Sequence, residues 1–288
     1  MRTNRRGTHH PSVSTGLVVF SDTHCGDKLG LCPPDPVLLD DGGTYAPSTF
    51  QRSTYEYFRE FHEEWIPAVA RGEPWDLCLN GDAIDGTHHG STHQISHNIE
   101  DQLRIAEAVL LPFVEQCRAS GGTYYHIRGT EAHVGQSGVY EEMLARRLGA
   151  KPNDHGQYAR HELWKRVGKA LVHVLHHVGT TSSSAHESSA VNAEMSAEYG
   201  EAARWGREIP DFIVRSHRHR CIVVELDTYK GYGYGVVTPG WQGKTPWTYK
   251  IPGARVAEPQ FGGIILRQGD EEHYLRRFVR GIERSAEE

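Results

Sequence analysis

The sequence predicts a mixed α/β sandwich with helices on its outside, and three observations lead there. Short apolar runs of strand length recur along the first three quarters of the chain, each ending in a cluster of polar residues. Stretches whose apolar residues repeat every three or four positions separate the first of these runs, the period of a helix with one buried face. The last quarter alternates β-type runs with Gly and Pro turns, which reads as antiparallel strands. Strand, polar cluster and helix in repetition, then antiparallel pieces, argue for sheets covered by helices. Open sheets of this kind hold ligands at the C-terminal ends of their strands, where the polar clusters fall.

Residues 16–20, Gly-Leu-Val-Val-Phe, form the first buried strand, and the polar run from Ser21 to Asp27 follows it. Residues 28–50 are rich in Pro, Gly and Asp and read as a long loop. Tyr55, Phe58, Phe61, Trp65 and Val69 mark a helix over about 51–70, with Pro67 and Gly72 at its end. Residues 75–79 are a second buried strand ending in Asn80-Gly81-Asp82. Ile99, Leu103, Ala106, Leu110, Val114 and Cys117 make the next helical stripe, which Pro112 should kink and Gly121-Gly122 should stop. Residues 123–127 form a third strand, followed by a short helix near 140–148. Residues 162–167 and 170–175 read as a hairpin about Gly168-Lys169. A helix of modest apolar content spans about 190–207, and residues 211–214 make the next strand.

Lys and Arg total 31 against 37 Asp and Glu, a formal net charge of −6, so no chain-wide basic field draws in long duplex DNA. No stretch approaches the roughly 20 apolar residues of a membrane span. The five Cys are an odd number without zinc-finger spacing, and free thiols in a reducing cytoplasm are expected. The chain carries 19 His, a surplus that points towards metal. Residues 1–15 are expected to be a flexible basic arm without the apolar core of a secretory signal. Residues 16–288 are expected to form one domain with an insertion at about 179–209, whose Ser-rich start at 180–189 should be mobile and lie beside the site.

Five strand ends, in order, offer Asp22-x-His24, Gly81-Asp82-x-x-Asp85, Gly129-x-x-x-His133, His176-His177 and Ser216-His217-x-His219. Singly, each reads as an ordinary turn or an exposed edge. Together they bring the oxygen and nitrogen ligands of first-row divalent metals to one rim. Residues i and i+2 of an extended segment face the same way, so Asp22 and His24 can share an ion, and His217 and His219 are related likewise. Asp82 follows Gly81, where the backbone can approach closely, and its two oxygens can bridge two cations. Arg128 and Arg218 flank these motifs and are expected to grip phosphate oxygens in a bidentate way. His88, His89 and His93 follow the Asp82 loop as candidate substrate contacts. Trp241, Trp247 and Tyr249 read first as a patch that holds its own loop down, and otherwise as stacking surfaces.

This ordered set resembles the motifs of the calcineurin-like metallophosphoesterase superfamily, D-x-H, G-D-x-x-D/E, G-N-H-D/E, H and G-H-x-H, over about residues 18–219. The resemblance implies a four-layer α/β/β/α sandwich with a dinuclear metal site at the strand C-terminal ends. It implies that Asp22, His24 and His219 hold the first ion, that Asp82 bridges, and that His217 with His176 (or His177) holds the second. Asp85 would orient a ligand without touching metal. The ions would be two of Mn, Fe, Zn, Ni or Mg, with mixed His and carboxylate ligands favouring transition metals.

Two departures stand out. Thr130 occupies the place of the superfamily's amide ligand, with Glu131 next to it, and either residue, or water, would complete the second site. The motif His has moved to His133, where it would protonate the leaving group; Ser216 replaces a Gly. The implied reaction is metal-dependent phosphoester hydrolysis, on a phosphodiester as in a nuclease or nucleotide phosphodiesterase. A phosphomonoesterase or protein phosphatase, or a non-catalytic scaffold of the same fold, are the alternatives. The expected partner is a phosphoester substrate, a nucleotide or single-stranded nucleic acid, and not a membrane.

Overall fold

The structure, a computed structural model, describes residues 14–88, 90–179, 183–251, 253–269 and 272–282. His89 and most of the expected basic arm lie outside the described residues. In chain order the strands are β1 (Gly16–Phe20), β2 (Val37–Leu38), β3 (Thr44–Tyr45), β4 (Trp75–Asn80), β5 (Tyr124–Ile127), β6 (Ala159–Arg160), β7 (Glu162–Val167), β8 (Ala170–Leu175), β9 (Phe212–Arg215), β10 (Ile222–Thr228), β11 (Gly231–Val237), β12 (Gln260–Gln268) and β13 (His273–Gly281). The α-helices are α1 (Thr49–Arg59), α2 (Ile66–Ala70), α3 (Ile99–Ala119), α4 (Glu131–Val134), α5 (Val139–Arg147) and α6 (Glu187–Arg204).

Two mixed sheets result. One is six-stranded in the order β13-β12-β1-β4-β5-β6, and the other five-stranded in the order β10-β11-β9-β8-β7. β1, β4, β5 and β6 pair in parallel, as do β8, β9 and β11. The fold is mixed α/β. The unbroken apolar reading of β1 has a direct cause: Val18 and Phe20 face the core under the helices, while Leu17 and Val19 face a second core. That second core also holds Val172 and Val174 of β8, Phe212 and Val214 of β9 and Ile264 of β12, so it lies between the two sheets. A strand covered on both faces loses the alternation of a half-buried one. Cys78 against Leu77 and Leu79 repeats the pattern in β4.

The helix expected over 51–70 starts at Thr49 behind a capping box formed by Ser48 and Gln51. It widens into a π-helical stretch at Glu60–Trp65 and finishes as α2. Pro67 sits in the first turn of α2 and has no N–H to give back, and the wider turn ahead of it accommodates that loss. α3 is capped by Asn98 and runs through Pro112 to Ala119. α6 lies on β10 and β11 with Val191 buried against Ile222 and Val237. Gly235 permits this approach, since a Cβ there would come within 2.4 Å of Met195 Sδ. Residues 28–50, expected as loop, contain the small β2–β3 hairpin. Of the Ser-rich stretch, 180–182 lie outside the described residues, Ser184–His186 is a 3-10 turn, and 187–189 are the first turn of α6. No helix among the described residues is long and apolar enough to cross a membrane.

Candidate metal centre

The parallel pairing of β1 with β4 continues past their ends. Asp22 N–H donates to Gly81 O (2.9 Å), His24 N–H to Asp82 O (3.0 Å) and Cys25 N–H to Ala83 O (2.9 Å). The loops after the two strands therefore run side by side and bring Asp22 next to Asp82. In the second sheet Ser216 N–H donates to His176 O (2.8 Å), and that sheet joins the first through His217 N–H on the Asp22 carboxylate (3.2 Å). Trp241 N–H closes the ring on Asp22 O at 2.9 Å.

Asp22, His24, Asp82, His217 and His219 all have positive φ, between 41° and 72°. Among the described non-glycine residues only Arg71 and Ser137 share that conformation. Each such residue costs on the order of 1–3 kcal/mol and persists only where its surroundings hold it. The expected extended i, i+2 relation is thus replaced by left-handed turns. It also fails for the second pair: His219 joins Asp22 and His24, whereas His217 joins Asp82 and His176. Positive φ alone does not decide the matter, since Asp22 and His24 stay together on such turns while His217 and His219 do not.

The first group is Asp22, His24 and His219, with ligand atoms within 4.8 Å of one another. His24 Nδ1 faces Asp85 Oδ1 at 3.2 Å, which turns Nε2 the other way. Both His24 Nε2 and Asp22 Oδ1 are buried and without a hydrogen-bond partner; the His219 Nε2 that lies 3.3 Å from Asp22 Oδ1 makes no hydrogen bond there. Unpaired buried polar atoms are costly, and a cation between them satisfies both. The donor set fits a divalent ion.

The second group is Asp22, Asp82, His176 and His217, with His177 beside it. Asp82 Oδ1 accepts Thr130 N–H at 2.7 Å. Asp82 Oδ2 lies 3.0 Å from His176 Nε2 and 3.1 Å from Thr130 Oγ1. His176 Nδ1 donates to Asn80 O at 2.6 Å, leaving Nε2 for the cluster, an outer contact of the kind that orients metal-binding His. Two glycines make room: a Cβ on Gly129 would fall 2.1 Å from Asp82 Oδ1, and one on Gly81 2.4 Å from His176 Nδ1.

The ion-free electrostatics are those of a loaded acid–base cluster. Burial alone would raise the Asp82 carboxyl, but His176 and His133 beside it hold it well below the usual carboxylate range. Burial works against charge on His24 and His176, yet the carboxylates win. Asp85 and Asp82 push His24 up to about 9, and Asp82 pushes His176 up to about 10.

Asp85 collects more partners than a sequence can show. Besides His24 it takes His88 Nε2 (3.2 Å), Gln94 Nε2 (2.6 Å) and Gln242 Nε2 (3.2 Å). His133 reaches it too: its Nδ1 donates to Asp85 O at 2.7 Å and lies 3.8 Å from Oδ1. The short α4, absent from the sequence reading, folds the chain back so that His133 packs edge-on to His24 at 4.6 Å between ring centres. Burial pushes His133 down to about 4.

Of the two residues left open for the second group, Thr130 faces it and Glu131 is exposed. Arg128 lies beside the loop that carries Thr130. Its guanidinium donates to Ala159 O and Ser137 O, both at 2.8 Å, with Glu142 3.8 Å away. It ties loops together rather than presenting a free fork. Arg218 donates to Gly179 O. His93 pairs with Asp27 at 2.5 Å. Trp241 is fully buried against Phe58 and Phe61, while Trp247 and Tyr249 are exposed. Asn80, Gln94, Gln242 and Glu141 escaped the sequence reading; buried Glu141 accepts Ala83 N–H and Gly129 N–H and so fixes both loops that carry Asp82 and Thr130. Only position near a motif could have signalled them.

The chain is therefore a mixed α/β protein with adjoining buried His/Asp clusters able to hold metal ions. No protein-family model matches it, and no curated protein matches it. Among solved structures it is similar to Vacuolar Protein Sorting 29 from Cryptosporidium parvum at 9% identity, covering 94% of this chain and 100% of that one, with a TM-score of 0.37. A likeness at that level carries no argument about function.

Proposed function

We propose that the chain is a metal-dependent phosphodiester hydrolase of the calcineurin-like metallophosphoesterase type, working through two divalent ions. The observation that carries this reading is the pair of His/Asp groups that share Asp22, with Asp82 beside it, on left-handed turns. The shared sheet core, with helices packed against either sheet, supports a four-layer α/β/β/α sandwich. Asp22, His24 and His219 would hold one ion, His176 and His217 the other, and Asp82 would bridge them. The ions, when bound, polarise the phosphoryl oxygens and activate water at neutral pH.

The chain's own residues do the rest. Asp85 and Asn80 O fix the tautomers of His24 and His176, so both present Nε2 to the site. His133, hydrogen-bonded through Nδ1, presents Nε2 and would deliver a proton to the departing oxygen. Burial lowers its pKa to about 4, and an anionic phosphate beside it would raise it again. The engagement of Arg128 and Arg218 with carbonyl oxygens supports a diester. A dianionic terminal phosphate usually calls for a bidentate Arg clamp. A nucleotide or single-stranded nucleic acid suits this site and the net charge of −6. The free cysteines suit the reducing cytoplasm.

The test compares bis-p-nitrophenyl phosphate with p-nitrophenyl phosphate, with Mn²⁺ and with EDTA. We expect faster turnover of the diester and its loss in EDTA. Turnover of neither ester with any of the named metals refutes the hydrolase, and preference for the monoester refutes the diester.

A further inference from the structure

On the outer side of the second group, two consecutive histidines face one cluster. Consecutive residues at a strand end normally point to opposite sides. Here the rings of His176 and His177 lie 5.0 Å apart, and each lies 5.3 Å from the ring of His217. The three form a group whose nitrogens lie within 4.8 Å of one another. At its centre is the Thr130 hydroxyl, 3.4 Å from His176 Nε2, 3.5 Å from His177 Nε2 and 3.1 Å from His217 Nδ1. Ligands about one tetrahedral ion, with bonds near 2.0–2.1 Å, stand about 3.4 Å apart. The Thr130 hydroxyl thus stands at ligand spacing from all three imidazoles, whose nitrogens lie within 4.8 Å of one another.

We infer that His177 is a metal ligand in its own right, and that the second ion is held by the three imidazoles of His176, His177 and His217 together with Asp82. The inference rests on the proposed metal centre and adds to it a difference between its two sites. The first group offers as many carboxylates as imidazoles once Asp82 is included. The second is dominated by nitrogen. Imidazole suits Zn²⁺, Fe²⁺, Co²⁺ and Ni²⁺, and oxygen suits Mg²⁺ and Mn²⁺. The second site is thus the one that takes a borderline transition metal and rejects Mg²⁺. Thr130, a weak ligand beside the same nitrogens, is affordable there because His177 supplies the ligand it lacks.

His177 is exposed, so His177→Ala removes an imidazole without opening the core. Metal-free full-length protein is titrated with Co²⁺, followed by visible absorption and by calorimetry, then challenged with Zn²⁺ and Mg²⁺. Wild type should take up two ions in unequal steps. In His177→Ala one step should weaken by at least about 10- to 100-fold, its absorption band should change, and its preference for Zn²⁺ over Mg²⁺ should shrink. The other step should stay, and circular dichroism in EDTA should match wild type. Two wild-type steps in the variant overturn the assignment of His177 while the centre stands. Loss of both steps with the fold intact overturns the assignment to one ion. Wild type that binds no Co²⁺ overturns the metal centre itself.

Discussion

Asp82→Asn is the substitution that reads most of the centre at once. Asn keeps the size of the side chain and one acceptor for Thr130 N–H, now at 2.7 Å, but removes the charge that faces His176 Nε2 at 3.0 Å. In EDTA at neutral pH the loss of one partner from a buried pair should cost about 3–5 kcal/mol, read as a lower urea midpoint. The pH dependence carries a definite sign. His24 and His176 are raised above the ordinary His value, to about 9 and about 10. Their contribution to stability is full below the unfolded pKa and fades as pH rises through those values. The gap between wild type and variant should therefore narrow as pH rises from about 6.5 towards 10. With metal the gap should widen, since each bound ion at a hundred times its Kd adds about 2.7 kcal/mol to the form that binds it. Hydrolysis should fall at least about a hundredfold, because metal activation supplies several kcal/mol. The assays are elemental analysis after metal loading, urea unfolding with and without EDTA, and the diester rate. A variant that keeps two ions and a near-normal rate would remove Asp82 from the centre.

Three further outcomes are expected. Metal affinity should rise from about pH 6 to pH 9, with protons released on binding, because ions displace protons held on His24 and His176; calorimetry in buffers of different ionisation enthalpy that finds no proton release contradicts this. His133→Ala should slow hydrolysis of alkyl phosphate esters by about 10²–10⁴, barely touch nitrophenyl esters, and leave metal bound; slowing of both substrate types with lost metal would make His133 a ligand instead. Gly129→Ala should abolish tight metal binding, since its Cβ would fall 2.1 Å from Asp82 Oδ1 and 2.3 Å from Asp82 N; two ions bound as in wild type would show that the loop yields where the packing says it cannot.

Much of this protein was legible in the chain itself. The apolar runs of β1 and β4, the hairpin of β7 and β8 and the stripe of α3 announce themselves because each is a local pattern: strands covered on both faces read as unbroken apolar runs, and a one-faced helix repeats every three or four residues. The Asp and His at the strand ends were legible for the same reason, as residue types at short spacings. What the tertiary structure decided is how those residues are shared out. The split of His217 from His219, which the resemblance implied, is carried by left-handed turns that no short window shows. His133 returns to Asp85 because α4 folds it back. Thr130 rather than Glu131 faces Asp82, and Arg128 turns to Ala159 and Ser137. Asp85 gathers His24, Gln94 and Gln242 from three loops. None of these is a property of a short window. Each depends on which loops the parallel pairing of distant strands sets side by side, and on strained backbone angles that only the surrounding contacts can hold.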